Sequence, residues 1–112
     1  MNFIYQKEMM IQMKFKITVV KRFEPKDVIG RDFFLPSGKK IVKCDLQEGE
    51  SFISIDGNIP ENFCNSAWAA IYPSIKMFRF GGNYPAFEPG TAYTTCPDGI
   101  RPVSFKLEKI ED

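Results

Sequence analysis

The chain has 112 residues, 14% of them aromatic, and a formal net charge of +1, which suits one domain with its own hydrophobic core. No apolar run approaches the ~20 residues of a membrane-spanning helix, and the start lacks the basic-then-apolar order of a signal peptide. Three cysteines without a single histidine exclude Ser-His-Asp and Cys-His catalysis, and the odd cysteine count favours reduced thiols in a cytoplasmic protein.

The pattern at the start of the chain divides it into an extension and a domain. We expect residues 1–12 to be an N-terminal extension, with a short helix or an added edge strand over Asn2–Met10, and residues 13–112 to form a single domain. Lys14–Phe23 predicts the first strand, because polar and apolar residues alternate and β-branched residues are frequent. This alternation places Phe15, Ile17 and Val19 on one buried face.

Short strands and turns are predicted for the middle of the chain. Glu24–Gly38 is expected to be a connection, because it contains two glycines and a proline near its end. Lys39–Cys44 and Ser51–Ile55 predict two more strands, and Asp56–Asn58 is a turn signal. Phe33 and Phe34 would point to opposite faces if extended, so one of them could be exposed. Either an exposed phenylalanine here or an unpaired first strand would favour a homodimer.

One segment has helical periodicity and predicts a helix over about residues 64–80. Apolar and small residues recur at a spacing of three to four and should face the sheet: Ala67, Ala70, Ile71, Ser74, Ile75 and Phe78. Pro73 interrupts this pattern and predicts a kink, or a second short helix that begins there. Gly81 and Gly82 are expected to end the helix with a left-handed cap.

After the helix, the sequence predicts a long structured loop and a last strand. Residues 83–95 contain two prolines and three aromatic residues, and loops of this length are often functional. Cys96–Gly99 is a turn, and Pro102–Ile110 is an alternating strand that should pair with the first. The predicted fold class is therefore α+β: an antiparallel sheet of about four to five strands packed against one Pro-kinked helix.

From Met13 onward, several motifs together resemble a family of small uncharacterised bacterial and archaeal proteins. The family's pattern is Cys…Gly-x-x-Phe, Cys-x-x-Ala-Trp-x-x-Ile-Tyr-Pro, Phe-Gly-Gly and Cys-Pro-Asp, which corresponds here to Cys44 with Gly49–Phe52, Cys64–Pro73, Phe80–Gly82 and Cys96–Asp98. The chain departs from that pattern by an insertion around residues 24–40 and a shorter link after Cys44. The family has no assigned activity, so the resemblance supports the fold and the three cysteine positions and implies no substrate.

The three cysteines are the candidate metal ligands or reactive thiols. Cys44, Cys64 and Cys96 each lie at the end of a predicted element, where side chains can converge on one rim of a sheet. Three thiolates could bind zinc or an iron–sulfur centre, with Asp98 as a fourth ligand. Cys64, near the predicted helix start, could also be a reactive thiol, because a helix N-terminus stabilises a thiolate. The structural alternative is a small buried hydrophobic residue.

A second candidate site is aromatic. Trp68, Tyr72, Arg79, Tyr84 and Phe87 could line a ligand-binding pocket over the helix and the long loop, and the alternative is core packing. The basic residues concentrate in the first half of the chain, but periodicity buries most of the aromatic residues among them, which argues against nucleic-acid binding.

The sequence therefore indicates no reaction. It favours a non-enzymatic binding or accessory protein whose recognition surface, formed by the helix start and residues 83–96, takes a protein or a small molecule. The alternative is a thiol-based metal-binding or redox protein that uses Cys44, Cys64 and Cys96.

Overall fold

A computed structural model describes residues 12–110, so the extension predicted over Asn2–Met10 lies outside the described residues. The fold is α+β, with a four-stranded antiparallel sheet and one long helix. No helix within residues 12–110 is long and apolar enough to cross a membrane. In chain order the elements are β1 (Lys14–Arg22), α1 (Pro25–Ile29), β2 (Ser51–Ile55), α2 (Asn65–Arg79), β3 (Thr91–Thr95) and β4 (Val103–Ile110).

The two strands with the clearest alternation form the centre of the sheet. The strand order is β2-β1-β4-β3, and every neighbouring pair is antiparallel. The predicted pairing of the first strand with the last is confirmed, with Ile17 opposite Leu107 and Val19 opposite Phe105. The register shifts between Val19 and Lys21, which marks an irregularity near the end of β1.

One face of the sheet packs against α2 and forms the core. Phe15, Ile17 and Val19 are buried, as the alternation predicts, and they meet inward residues of β3 and β4. The buried face of α2 completes the same cluster, and its members are Ala67, Ile71, Ser74, Ile75 and Phe78. Full burial of each large apolar side chain contributes roughly 1.5–3 kcal/mol to the driving force for folding, so this face determines where α2 lies.

The long helix begins and ends at the residues that its sequence signals indicate. Cys64 is the N-cap residue, and Pro73 lies inside a continuous helix, so the alternative of a second helix beginning at Pro73 is wrong. Gly81 has φ of +85°. Its N–H donates to the Phe78 carbonyl and the Gly82 N–H donates to the Met77 carbonyl, each at 3.0 Å. These two bonds form a Schellman cap, which fixes the direction in which the chain leaves the helix.

Three local predictions differ from the structure. Lys39–Cys44 forms no strand, and Lys40 makes only an isolated bridge with Phe34. Its carbonyls at Val42 and Cys44 instead accept hydrogen bonds from arginine side chains, which replaces the pairing that a strand would need. Within the predicted connection 24–38, Pro25–Ile29 forms a helix with Pro25 in its first turn. Thr91–Thr95, predicted as loop, is edge strand β3.

Candidate functional site

The three cysteines line a single open cleft of about 410 Å³. We call it the thiol cleft, and its lining residues are Cys44, Cys64, Ser66, Cys96, Pro97, Asp98 and Arg101. They come from three separate parts of the chain: the segment before β2, the start of α2 and the turn between β3 and β4. All three cysteines are free thiols. Three thiols that are far apart in the sequence therefore line one cleft.

Cys64 is exposed at the N-terminus of α2, so the alternative that it is a buried hydrophobic residue is wrong. Its carbonyl accepts the Trp68 N–H at 2.9 Å, while its side chain makes no capping hydrogen bond. Within residues 12–110, no acceptor takes the N–H groups of residues 65–67. Cys64 therefore marks the end of a 15-residue helix whose first N–H groups are open.

Cys96 is held rigidly at the entrance to the β3–β4 turn. Its N–H donates to the Val103 carbonyl at 3.0 Å, and its Sγ accepts the Val103 N–H at 3.3 Å. Half-buried, it packs against the core. The backbone of Cys96 therefore cannot move without breaking a bond between the two strands.

The turn after Cys96 is organised by the carboxylate of Asp98. Its Oδ1 accepts the N–H groups of Ile100 at 2.8 Å and Arg101 at 3.0 Å, and its Oδ2 lies 3.5 Å from Arg101 Nε. Partial burial raises the pKa of Asp98, but the two backbone bonds and the charge of Arg101 outweigh it, so the pKa lies below its ordinary value. Asp98 is therefore a carboxylate at neutral pH.

Cys44 belongs to a segment that two arginine side chains hold in place. Arg101 Nη1 donates to the Val42 carbonyl at 3.1 Å, and Arg22 Nη1 donates to the Cys44 carbonyl at 3.0 Å. Arg101 thereby connects the Cys44 segment to Asp98 on the opposite turn. The Arg22 Nε is buried and, within the described residues, has no hydrogen-bond partner, so this guanidinium keeps an unused donor next to Cys44.

The three cysteines of the predicted metal site line one cleft, but they show no coordination geometry. Within residues 12–110, no group of three or more histidine, cysteine, aspartate or glutamate side chains is arranged to hold a metal ion. The zinc or iron–sulfur site on Cys44, Cys64 and Cys96 remains a prediction.

The five residues of the aromatic prediction fall into separate places. The Trp68 and Tyr72 rings lie 5.8 Å apart near the start of α2, and the Tyr84 and Phe87 rings lie 6.1 Å apart beyond its end. No ring contact within the described residues joins the two pairs. Arg79 packs over the 56–58 turn, because a Cβ built on Gly57 would lie 2.8 Å from Arg79 Cδ.

Tyr84 and Phe87 belong to an aromatic row that covers the far end of the core. Phe78, Tyr84, Phe87 and Tyr93 make successive ring contacts at 5.6–6.3 Å. A cleft of about 310 Å³ beside this row includes Phe87, Tyr93 and Lys106. Some of these aromatic residues therefore pack against the core, and others line a cleft. A ligand role for them remains a prediction.

Sequence reasoning missed two features of the thiol cleft. Ser66 and Pro97 carry no signal of a ligand site in the sequence, where Ser66 is a capable helix N-cap residue and Pro97 a turn residue. The arginine bonds to the Val42 and Cys44 carbonyls have no sequence signal, since they connect positions 59 and 22 residues apart.

No protein-family model matches this chain, and comparison with curated proteins and with solved structures found no match. The geometry of the thiol cleft is therefore the basis on which a function can be assigned.

Proposed function

We propose that this chain is a non-enzymatic binding or accessory protein whose ligand site is the thiol cleft. The observation that carries the proposal is that Cys44, Cys64 and Cys96 line one cleft although they are far apart in sequence. Its volume of about 410 Å³ lies within the range of small-molecule sites. The recognition surface expected at the helix start and residues 83–96 overlaps this cleft at Cys64 and Cys96.

The charges around the cleft favour a small ligand that carries a negative group. The open N–H groups at the start of α2 face no acidic side chain in the first helical turn. Arg101 and Asp98 in the β3–β4 turn offset each other as an ion pair at 3.5 Å, whereas the Arg22 guanidinium adds a positive charge next to Cys44. Ser66 adds a neutral hydroxyl group to the lining.

A second candidate function, favoured by the same convergence, is thiol-based metal binding or redox chemistry. A zinc or iron–sulfur centre would use Cys44, Cys64 and Cys96, with Asp98 as a fourth ligand. Metal analysis of protein expressed with added zinc or iron is the test. A stoichiometric metal that is lost in Cys64→Ser would support this candidate, and metal-free protein would count against it.

We propose that the protein is cytoplasmic, because all three cysteines are free and free thiols persist in a reducing compartment. A homodimer remains a proposal that depends on Phe34, which is 54% exposed. The other condition for a dimer, an unpaired first strand, is not met because β1 pairs on both sides.

The binding proposal is tested by amide chemical shifts of the ¹⁵N-labelled full chain under reducing conditions. Three probes at millimolar concentration are compared: N-acetylcysteine, cysteamine and phenol. We expect N-acetylcysteine to shift the amides of Ser66, Ile100 and Arg101 most strongly. Phenol shifts around Tyr84 and Phe87 would favour the aromatic site instead, and cleft amides unmoved by either thiol would overturn the proposal.

A further inference from the structure

We propose that the thiol cleft exchanges with low-molecular-weight disulfides that carry carboxylates, with Cys64 as the attacking thiol and Cys44 as the resolving thiol. This inference rests on the proposed function, because it assigns the ligand class and the chemistry of the same cleft. Three observations support it. The three thiols line one cavity, they differ in exposure, and the backbone of each cysteine is held by different hydrogen bonds.

Exposure decides which thiol meets the disulfide first. Cys64 is exposed, whereas Cys44 and Cys96 are half-buried. Thiol–disulfide exchange requires the sulfur to approach along the S–S axis of its target, so access controls the rate. Cys64 is also the N-cap residue of α2, whose first N–H groups have no acceptor within the described residues and can receive a carboxylate of the incoming disulfide. Cys64 is therefore the entry point.

The backbone decides which thiol resolves the mixed disulfide. Cys96 is fixed by its two hydrogen bonds with Val103. Within residues 12–110, the stretch 42–46 makes no backbone–backbone hydrogen bond, and its carbonyls at Val42 and Cys44 accept the Arg101 and Arg22 side chains, which can follow a small movement of that stretch. Since a disulfide requires Cα atoms about 4.4–6.8 Å apart, the cysteine whose backbone can move is the one that closes the bond.

The proposed reaction is balanced in two steps. The Cys64 thiolate attacks one sulfur of a disulfide RSSR, so the S–S bond breaks, a Cys64–SR bond forms and RS⁻ leaves to take up the proton that Cys64 lost. The Cys44 thiolate then attacks the Cys64 sulfur, a Cys44–Cys64 disulfide forms, and a second RS⁻ leaves and takes up the proton from Cys44. The protein loses two electrons, and one RSSR becomes two RSH.

The electrostatics of the cleft predict a preference for an acidic disulfide over a basic one. Arg101 and Asp98 form an ion pair at 3.5 Å, so their charges offset each other. The remaining positive potential comes from the α2 N-terminus and from the Arg22 guanidinium, which donates to the Cys44 carbonyl. We therefore expect modification by glutathione disulfide to be at least about threefold faster than modification by cystamine at low salt, and Arg101→Gln to reverse the preference by leaving the Asp98 charge unpaired.

The test uses the reduced full-length chain, freed of reductant, with glutathione disulfide and cystamine as probes. Samples are quenched by alkylation, and intact masses and cysteine-containing peptides are measured over time. The expected product is a Cys44–Cys64 disulfide with two released thiols per chain. Cys44→Ser should accumulate the mixed disulfide on Cys64, and the exposed-site variant Cys64→Ser should lose the fast phase.

A matched pair of arginine variants tests the charge preference. Arg101→Gln should reduce the ratio of the two probe rates at least threefold. Arg31→Gln removes the same charge from an exposed loop, where among the described residues that arginine bonds the Asp32 carbonyl alone, and should leave the ratio unchanged. A first adduct on Cys44 or Cys96, a Cys64–Cys96 disulfide, or equal rates for both probes would overturn the inference.

S-methylglutathione, which cannot exchange, separates failure of this inference from failure of the proposed function. If it shifts the amides of Ser66 and Arg101 while glutathione disulfide leaves Cys64 unmodified, the binding site stands and the exchange reaction is refuted. If it shifts no cleft amide and no exchange occurs, both are refuted.

Discussion

A buried hydroxyl pair connects α2 to the loop that follows it, and a double-mutant cycle measures what this connection contributes. Ser74 Oγ lies 2.8 Å from Tyr84 OH, and Ser74 is only 6% exposed. Tyr84→Phe removes one hydroxyl and keeps the ring contacts with Phe78 and Phe87 at 6.3 and 6.1 Å. The variant therefore isolates the hydrogen bond from the packing.

We expect Tyr84→Phe to lower the free energy of unfolding by about 1–2 kcal/mol, since it leaves the buried Ser74 hydroxyl without its partner. Ser74→Ala should cost about 1 kcal/mol, because alanine's better helix propensity offsets part of the loss. The double variant should cost little more than Tyr84→Phe alone. The resulting coupling energy is about 1 kcal/mol.

The assay is urea unfolding followed by the fluorescence of Trp68, the only tryptophan. In a thermal melt of the same variants, a loss of 1 kcal/mol in the free energy of unfolding would lower Tm by about 4–8 °C for a domain of this size. Tyr93→Phe is the matched control, because Tyr93 is 49% exposed, and it should change stability by less than about 0.5 kcal/mol. Additive costs for Ser74→Ala and Tyr84→Phe would refute the reasoning.

Three further predictions concern the thiol cleft and the ends of α2. Because the pKa of Asp98 is lowered in the folded state, its stabilisation is present above the unfolded pKa of about 3.9 and is lost as pH falls through the folded pKa. At neutral pH, Asp98→Asn should lower the free energy of unfolding by less than about 1 kcal/mol, because the Asp98 side chain is 41% exposed. In urea titrations below pH 4, this difference from wild type should disappear. Gly81→Ala should cost about 1 kcal/mol by calorimetry, because residue 81 has φ of +85°. Gly99→Ala, with open space around it, is its control and should differ little from wild type. Pro73→Ala should stabilise the protein by about 1 kcal/mol or more, because it lets residue 73 donate to the Ala69 carbonyl, and unchanged urea midpoints would contradict this.

Local sequence signals were sufficient for the elements in which apolar residues recur at a regular spacing. The period of two in Lys14–Arg22 and Val103–Ile110 predicts both central strands and their buried faces. The period near 3.6 in Asn65–Arg79 predicts α2, and Gly81 and Gly82 predict its end. These predictions succeed because burial of one face is the dominant stabilising term in each element.

Segments whose hydrogen bonds go to distant partners could not be predicted in this way. Lys39–Cys44 has the residues of a strand, but its carbonyls bond Arg22 and Arg101. In β2 the small Ser54 is buried while Ile53 is exposed, and the buried Ser54 Oγ is satisfied by donating to the Asn58 carbonyl at 2.7 Å. The register against β1 decides which residues of this edge strand face inward.

The sequence by itself determined that this protein has an α+β core with one long helix, and it marked three widely separated cysteines as candidate site residues. Only the tertiary structure decided that Cys44, Cys64 and Cys96 share one cleft. The reason is that their convergence depends on how α2 packs on the sheet and on which loops the two arginines hold. Those contacts join residues far apart in the chain, so no local pattern records them.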